Sequence, residues 1–134
     1  MGPWLEMILR LLLATALGAG IGYQRERAGK VAGLRTHILI ASGAALFTIA
    51  SIFGFSGAVD PSRVAASVVA GIGFIGAGVI FRGARSEGVA GLTTAASIWA
   101  TAAVGLAAGA GLYLISVIAT IIIVGTLFIP KVGG

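Results

Sequence analysis

Residues 92–129 read LTTAASIWATAAVGLAAGAGLYLISVIATIIIVGTLFI and contain no charged side chain over 38 positions. A single helix of that length would measure about 57 Å at 1.5 Å per residue, almost twice the roughly 30 Å hydrocarbon core of a bilayer. Gly109, Ala110 and Gly111 stand at the middle of the stretch, where small residues favour a tight turn. The stretch therefore predicts two apolar helices that cross a membrane in opposite directions.

Three more apolar stretches precede this pair. The five predicted crossings are residues 4–23, 36–54, 64–81, 92–108 and 112–129. The 134-residue chain is 58% hydrophobic and only 10% charged, with a mean hydropathy of +1.10, far from the average of soluble proteins. A soluble protein of this size would have too little polar surface to cover five such helices. We predict one all-α integral membrane domain over residues 1–134.

The distribution of basic residues predicts the orientation in the membrane. Seven of the nine lie next to the ends of odd-numbered helices and so share one side: Arg25, Arg27, Lys30, Arg35, Arg82, Arg85 and Lys131. Arg10 lies inside the first helix and Arg63 in a loop on the other side. The positive-inside rule then places the N-terminus outside and the C-terminus in the cytoplasm. At helix ends these charges favour a lipid bilayer, rather than a nucleic acid, as the partner.

The sequence contains an internal repeat. An offset of 58 residues aligns residues 17–36 with 75–94, and nine of the twenty positions are identical. The motif VAGL, for example, begins at Val31 and again at Val89. Because the offset spans two helices, helices 1 and 2 form a unit that recurs in the same orientation as helices 3 and 4, with helix 5 extra. Transporters with parallel repeats bind their substrates between the two halves.

Glycines recur along the predicted helices at spacings that let backbones approach closely. The predicted packing glycines are Gly18, Gly22, Gly71, Gly73, Gly76, Gly78, Gly105 and Gly109. The G-x-x-x-G spacing within the first and fourth helices predicts a homo-oligomer, with a dimer as the first expectation. Residues 71–76 also match a dinucleotide-binding fingerprint, but no βαβ unit surrounds them, so we reject that interpretation.

Two clusters at the outer side are candidates for binding a ligand or a partner. Arg10 lies about 9 Å into the first helix, where a charge marks either a function or a required partner. Glu6 is one turn earlier and is a possible partner, while snorkelling to the headgroups is the alternative. Asp60 precedes Pro61 and is expected to cap the third helix. The alternative is that Asp60 pairs with Arg10 or Arg63 to form a gate or partner site.

On the cytoplasmic side, two equivalent helix starts predict an anion site. Arg35, Thr36 and His37 begin the second helix, and Thr93 and Thr94 begin the fourth. Free N–H groups and the helix dipole favour an anion there, such as a phosphate, a carboxylate or a lipid headgroup. His37 would add pH sensitivity. The alternative is that Thr36 and Thr94 only cap helices and that Arg35 anchors lipid.

Catalysis is not expected. The chain has no cysteine, and its single histidine has no positioned nucleophile beside it. Its four acids lie near the membrane surfaces and are few for a dedicated Mg²⁺ site. No cofactor is evident from the residues themselves, so we predict a protein that is not an enzyme.

Five short motifs follow one another along the chain. They are LGAGIG at 17–22 with RER at 25–27, AGLRTH at 32–37, DPSR at 60–63, GIGFIGAG at 71–78 and GLTTAASIW at 91–99. In this order they resemble the N-terminal membrane domain of the MgtC/SapB family, from Leu11 to about Tyr113. Longer members add a soluble ACT-like domain after the helices, and we expect this chain to contain the membrane domain alone.

The resemblance implies a bacterial inner-membrane protein of magnesium homeostasis and low-magnesium adaptation, in a family with virulence-related members. It also implies Mg²⁺ as a ligand and the membrane ATP synthase as a partner. We favour a non-catalytic regulator or binding protein for a membrane partner, since intramembrane acids are few and small residues abundant. The alternative is a carrier or channel for Mg²⁺ or another small solute through the repeat interface, which the parallel repeat and Arg10 favour.

Overall fold

The computed structural model describes residues 2–83 and 91–130. These residues form five α-helices: α1 (Pro3–Arg27), α2 (Leu34–Phe53), α3 (Ser62–Gly83), α4 (Leu92–Gly109) and α5 (Tyr113–Leu127). The predicted all-α class and helix number are confirmed, and each helix overlaps its predicted stretch. Helices α1 to α4 are long and apolar enough to cross a membrane. Arg85 and Lys131, which helped to predict the orientation, lie outside the described residues.

The helix boundaries follow local backbone chemistry. Pro3 stands at the first position of α1, where its missing N–H group costs no hydrogen bond. Gly111 has a φ of +89° and Gly91 one of +82°, a left-handed conformation that side chains disfavour. Gly111 therefore allows the tight turn between α4 and α5 that the apolar stretch predicted.

Helix α5 is shorter than its predicted stretch, because Phe128 and Ile129 follow its last helical residue. Its 15 residues measure about 22 Å. At its start the Tyr113 hydroxyl donates to Glu6, and at its end the Leu127 carbonyl accepts from Gln24. Those two partners are 18 residues apart on α1, or about 27 Å. Helix α5 therefore runs beside α1, in the same direction, over most of its length.

The centre of the fold is the contact between α1, α2 and α4. A Cβ atom placed on Gly18 would lie 2.7 Å from the Ala41 Cβ, and one on Gly105 would lie 2.8 Å from the Ala41 Cα. One placed on Gly109 would lie 2.7 Å from the Ala45 carbonyl oxygen. Real side-chain atoms do not approach this closely, so the three helices require glycine at these points. Close backbone contact supplies the dispersion energy that replaces hydrophobic drive within lipid.

The predicted packing glycines divide into two groups. Gly18, Gly22, Gly105 and Gly109 contact α2 within the chain, and Gly76 lies in ordinary contact with Ala95. At Gly71, Gly73 and Gly78 an added Cβ would have no atom within 4 Å, and these three lie on exposed faces of α3. Because both G-x-x-x-G pairs are occupied inside the chain, they offer no free face to a second copy. The dimer remains a prediction, but these glycines no longer support it.

Helix α3 lies at the edge of the fold, beside a cavity of about 600 Å³ that it shares with α2. The cavity lining is almost wholly apolar and includes Phe47, Val68 and Ile72. Phe74 and Ile75 on α3 are exposed, as expected of side chains that contact lipid tails. Helix α3 therefore packs less closely than α1, α2 and α4.

The directions of the helices agree with those of a parallel repeat. Ala41 contacts Gly105 and Ala45 contacts Gly109, so α2 and α4 run in the same direction. Gly18 lies against the His37 carbonyl, and the residues 58 positions later, Gly76 and Ala95, make the equivalent but looser contact. The two-fold axis itself stays a prediction, since part of the second repeat lies within residues 84–90, outside the described residues.

Candidate functional site

A buried polar network joins α1, α2 and α4 at the end of the molecule that carries Arg25, Arg27, Lys30 and Arg35, here called the basic end. Arg25 is only 2% exposed, and its Nη2 donates to the Thr94 hydroxyl at 2.6 Å. The Ser97 hydroxyl donates to the Thr94 carbonyl at 2.8 Å and lies 3.0 Å from Nε2 of His37. The network therefore places a guanidinium, two hydroxyls and an imidazole side by side.

His37 completes the network on α2. It is fully buried, and its Nδ1 lies 2.8 Å from the Gly33 carbonyl oxygen. That carbonyl only accepts, so Nδ1 carries the proton of the neutral ring, and Nε2 is then an acceptor. The single proton of the Ser97 hydroxyl is shared between Nε2 and the Thr94 carbonyl. His37 thereby fastens the start of α2 to α4.

A cavity of about 400 Å³ opens beside Arg25. Its lining includes Arg25 and Lys30 together with Thr93 and Thr94 at the start of α4. Leu127, Ile129 and Pro130, at and beyond the end of α5, form an apolar wall. We call this space the Arg25 cavity. It combines two cations with the N-terminal turn of a helix, an arrangement suited to an anion.

The structure brings together only part of the predicted anion site. Thr93 and Thr94 line the Arg25 cavity, and His37 lies behind it through Ser97. Arg35 is exposed and does not line the cavity, and neither does Thr36. Since residues 35 and 37 are about 200° apart around a helix, a buried His37 turns Arg35 away from the core.

The proposed threonine caps are not found. Gly33 and Gly91 are the N-cap residues of α2 and α4, and neither helix has a side-chain cap at that position. Instead, the Leu34 amide at the start of α2 donates to the Glu26 carboxylate at 3.0 Å. The acid at the end of α1 therefore occupies the N-terminus of the next helix, and Gly33 leaves the space for it.

At the opposite end, Arg10 is partnered within the chain. Its Nε donates to Glu6 at 3.0 Å, and its Nη1 donates to the Gly109 carbonyl at 3.1 Å. The guanidinium also lies over the Phe53 ring, 5.0 Å from the centroid, where a cation–π attraction operates. The Tyr113 hydroxyl donates to Glu6 at 2.6 Å. Arg10 thus connects α1 with the ends of α2 and α4 and, through Glu6, with α5.

Asp60 and Arg63 take no part in the Arg10 cluster. The Asp60 carboxylate accepts from the Ser62 hydroxyl at 2.7 Å and from the Ser62 amide at 3.0 Å, at the start of α3. Arg63 is exposed. Among the described residues, the ion pair at this end is Arg10 with Glu6, so no Asp60 gate with Arg10 or Arg63 forms.

Low pH should destabilise the start of α3, because the Asp60 carboxylate becomes protonated. The hydrogen bonds from the Ser62 hydroxyl and amide hold the pKa of Asp60 below its usual value. A lowered pKa in the folded state adds stability above the unfolded pKa, and that stability is lost as the pH falls below about 4. We expect the Tm of wild type to fall more than that of Asp60→Asn as the pH is lowered through about 4, measured by thermal unfolding in detergent. Identical pH profiles would contradict the assignment.

Arg25, Lys30 and Ser97 belong to the site but were not predicted from the sequence. One signal points to Arg25: residues 18, 22 and 25 share a helical face at spacings of four and three. The two glycines on that face let neighbouring helices approach closely, so the third residue on it, Arg25, also faces those helices. Arg27 lies about 200° away and is exposed, although the two arginines look equivalent in sequence.

The described carboxylates do not gather at one place. Glu6, Glu26 and Asp60 each accept hydrogen bonds from nearby residues, and Glu26 is at the basic end, away from the other two. Within residues 2–83 and 91–130, no three His, Asp or Glu side chains gather as a group that would hold a metal ion.

The fold and its sequence relatives together define a class and a family. Four long apolar helices and a fifth beside them make this an all-helical, multi-pass membrane protein. Residues 11–132 match the MgtC family, and the chain belongs to that family. It is 51% identical to YhiD of Escherichia coli K12 over 115 residues, which cover 81% of this chain and 53% of YhiD.

Two further relatives extend the comparison. The chain is 48% identical to Protein MgtC of Brucella abortus over 111 residues, covering 83% of this chain and 45% of that protein. It is 45% identical to Protein SrpB of Synechococcus elongatus over 130 residues, covering 89% and 71% respectively. The chain thus spans about half the length of YhiD and MgtC. No solved structure matches it.

Proposed function

We propose that the chain is a non-catalytic membrane protein of magnesium homeostasis that binds and regulates a membrane partner. We place it in the bacterial inner membrane, with the N-terminus outside and the basic end in the cytoplasm, on the positive-inside rule. The link to magnesium comes from family membership, since YhiD carries the name "Putative magnesium transporter YhiD".

One observation carries the preference for a regulator over a carrier. Transporters built from parallel repeats keep a binding site between the halves, near the middle of the membrane. Here Gly18, Ala41 and Gly105 bring three backbones together in the middle of α1, α2 and α4. The three backbones lie so close together that no space remains there for an ion with its ligands. The cavity between α2 and α3, which also lies between the two halves, is almost wholly apolar and offers few oxygen ligands to Mg²⁺.

The exposed edge of the fold supports a role in binding another membrane protein. Helix α3 contributes little to the core, and its outward face carries Phe74 and Ile75 beside glycines that would permit close helix approach. The ATP synthase remains the partner that the family resemblance implies.

Magnesium flux separates the two functions. We expect purified protein in proteoliposomes to pass Mg²⁺ no faster than empty liposomes, measured with a fluorescent Mg²⁺ indicator inside the vesicles. We also expect the same chain to restore growth at low magnesium to a bacterium whose own copy has been deleted, because a regulator acts without conducting the ion. Flux above empty vesicles that Arg10→Gln abolishes would favour the carrier.

The matched control for Arg10→Gln is a variant of an exposed arginine at the same end of the molecule. Arg63→Gln removes an exposed charge that contacts no acid among the described residues. It should support growth as wild type does and leave the liposomes equally tight. Failure of wild type to restore growth, together with absent flux, would contradict the proposed role in magnesium homeostasis.

A further inference from the structure

We infer that the Arg25 cavity binds a phosphate-bearing anion, either free phosphate or the phosphodiester of an anionic lipid headgroup. The observations are a buried cation with unused donors, an uncapped helix start that faces it, and a contrast between the two halves of the repeat. The inference does not depend on a role in magnesium homeostasis.

The first observation is the state of Arg25. Its side chain is almost completely buried, and its Nε has no hydrogen-bond partner among the described residues. A guanidinium has five N–H donors, and the Thr94 hydroxyl accepts from only one nitrogen. A buried cation is costly without a counter-charge, and its planar fork matches the oxygens of phosphate. Of the four acids, Glu6, Glu26 and Asp60 lie elsewhere, and Glu87 is outside the described residues.

The second observation is the N-terminus of α4, which faces the same cavity. The first hydrogen bond within this helix runs from the Ala95 amide to the Gly91 carbonyl at 2.9 Å. The amides of residues 92–94 come before it and have no acceptor inside the helix. No side chain caps them at Gly91. Their dipoles add to the charges of Arg25 and Lys30, which line the cavity with Thr93 and Thr94.

The repeat supplies the third observation. At the start of α2, the Leu34 amide donates to the carboxylate of Glu26, so the first half binds an anion from its own chain. The offset of 58 residues matches Leu34 with Leu92 and Glu26 with Ala84. The second half therefore has the same helix start with alanine at the position that matches Glu26. The helix start of the second half faces the Arg25 cavity, which also contains the buried guanidinium of Arg25 from α1 and suits an anion from outside the chain.

The size and walls of the cavity restrict the ligand. A space of about 400 Å³ holds a phosphate group with its substituents. Leu127, Ile129 and Pro130 provide an apolar side, which suits the glycerol end of a lipid. Phosphate oxygens accept hydrogen bonds from each of the donor types in this lining: guanidinium, ammonium, hydroxyl and helix amide.

Binding is tested with inorganic phosphate and with nanodiscs of defined lipid. Phosphate titrated into the purified protein should raise its Tm, and chloride at equal ionic strength should not, because only a ligand of the folded state stabilises it. In the second arm, tryptophan fluorescence and native mass spectrometry compare phosphatidylglycerol with phosphatidylcholine nanodiscs. A response to phosphate identifies a free-anion site, whereas retained phosphatidylglycerol without a phosphate response identifies a headgroup site.

Variants locate the site. Arg25→Gln should weaken binding by about tenfold or more, because it removes hydrogen bonds to a charged acceptor. Lys30 is exposed, so Lys30→Gln keeps the fold and should weaken binding severalfold even if Arg25→Gln does not fold. Arg35→Gln is the matched control at the same end and should change nothing, since Arg35 does not line the cavity. Glu87→Gln removes the acid that lies outside the described residues, and it is tested beside wild type so that this carboxylate is not available to compete with the anion.

Two results would overturn the inference. The first is that neither wild type nor Glu87→Gln responds to phosphate or retains phosphatidylglycerol over phosphatidylcholine. The second is that Arg35→Gln weakens binding as much as Lys30→Gln does, because a diffuse surface charge and not the cavity would then attract the anion.

Discussion

Gly105→Ala is expected to prevent stable folding or to cause a large fall in the Tm. The added methyl group would meet the carbonyl group of Ala41 and would lie 2.8 Å from the Ala41 Cα. Because these atoms belong to the backbone of α2, no side chain is able to rotate away. Overpacking of this kind costs about 1–3 kcal/mol or more of unfolding free energy. Thermal unfolding in detergent, followed by size-exclusion elution, measures the loss.

Gly20→Ala is the matched control. Gly20 lies within α1 and has no atom within 4 Å of an added Cβ. Alanine is favoured over glycine inside a helix by up to about 1 kcal/mol, so this variant should fold and be equally or slightly more stable. If Gly105→Ala and Gly20→Ala unfold at the same temperature, the close contact of α2 with α4 is not the centre of the fold.

Arg10→Leu is expected to give the second largest loss. The guanidinium joins Glu6 on α1 with the Gly109 carbonyl on α4 and the Phe53 ring on α2. Leucine fills part of the space but leaves the Gly109 carbonyl without its charged donor, a loss of about 1.5–3 kcal/mol. We expect a lower Tm and faster proteolysis at the turn between α4 and α5, measured in mild detergent.

Two variants show whether the loss comes from this geometry. Arg10→Lys keeps the charge but not the planar group that reaches Glu6 and Gly109 together, so it should restore only part of the stability. Arg63→Leu removes an exposed arginine at the same end of the molecule and should have little effect. A normal Tm for Arg10→Leu with lost function would instead make Arg10 part of a binding or transport site.

The sequence predicted the helices better than the site, and particular residues show why. An uncharged stretch too long for one crossing requires a turn, and Gly109 to Gly111 mark it regardless of what surrounds them. Arg25, Arg27 and Arg35 have the same side chain in one charged segment. Only their angles around the helices decide that Arg25 is buried against Thr94 while the other two are exposed.

The glycines also show what could not be predicted from the sequence. Their spacing predicted close helix packing but did not identify the partner, because any small face packs against any other. The structure assigns Gly18, Gly22, Gly105 and Gly109 to contacts inside the chain. The same spacing had suggested a dimer.

What the sequence determined by itself was the all-helical membrane class, the number of helices and the turn between the last two. These follow from the length and polarity of each stretch. Each residue contributes to both, whatever its tertiary contacts are. The tertiary structure alone decided which charges are buried, which glycines touch and where a cavity forms. Such features depend on the rotation and depth of each helix relative to its neighbours, and a shift of two residues moves a side chain from the core to the lipid.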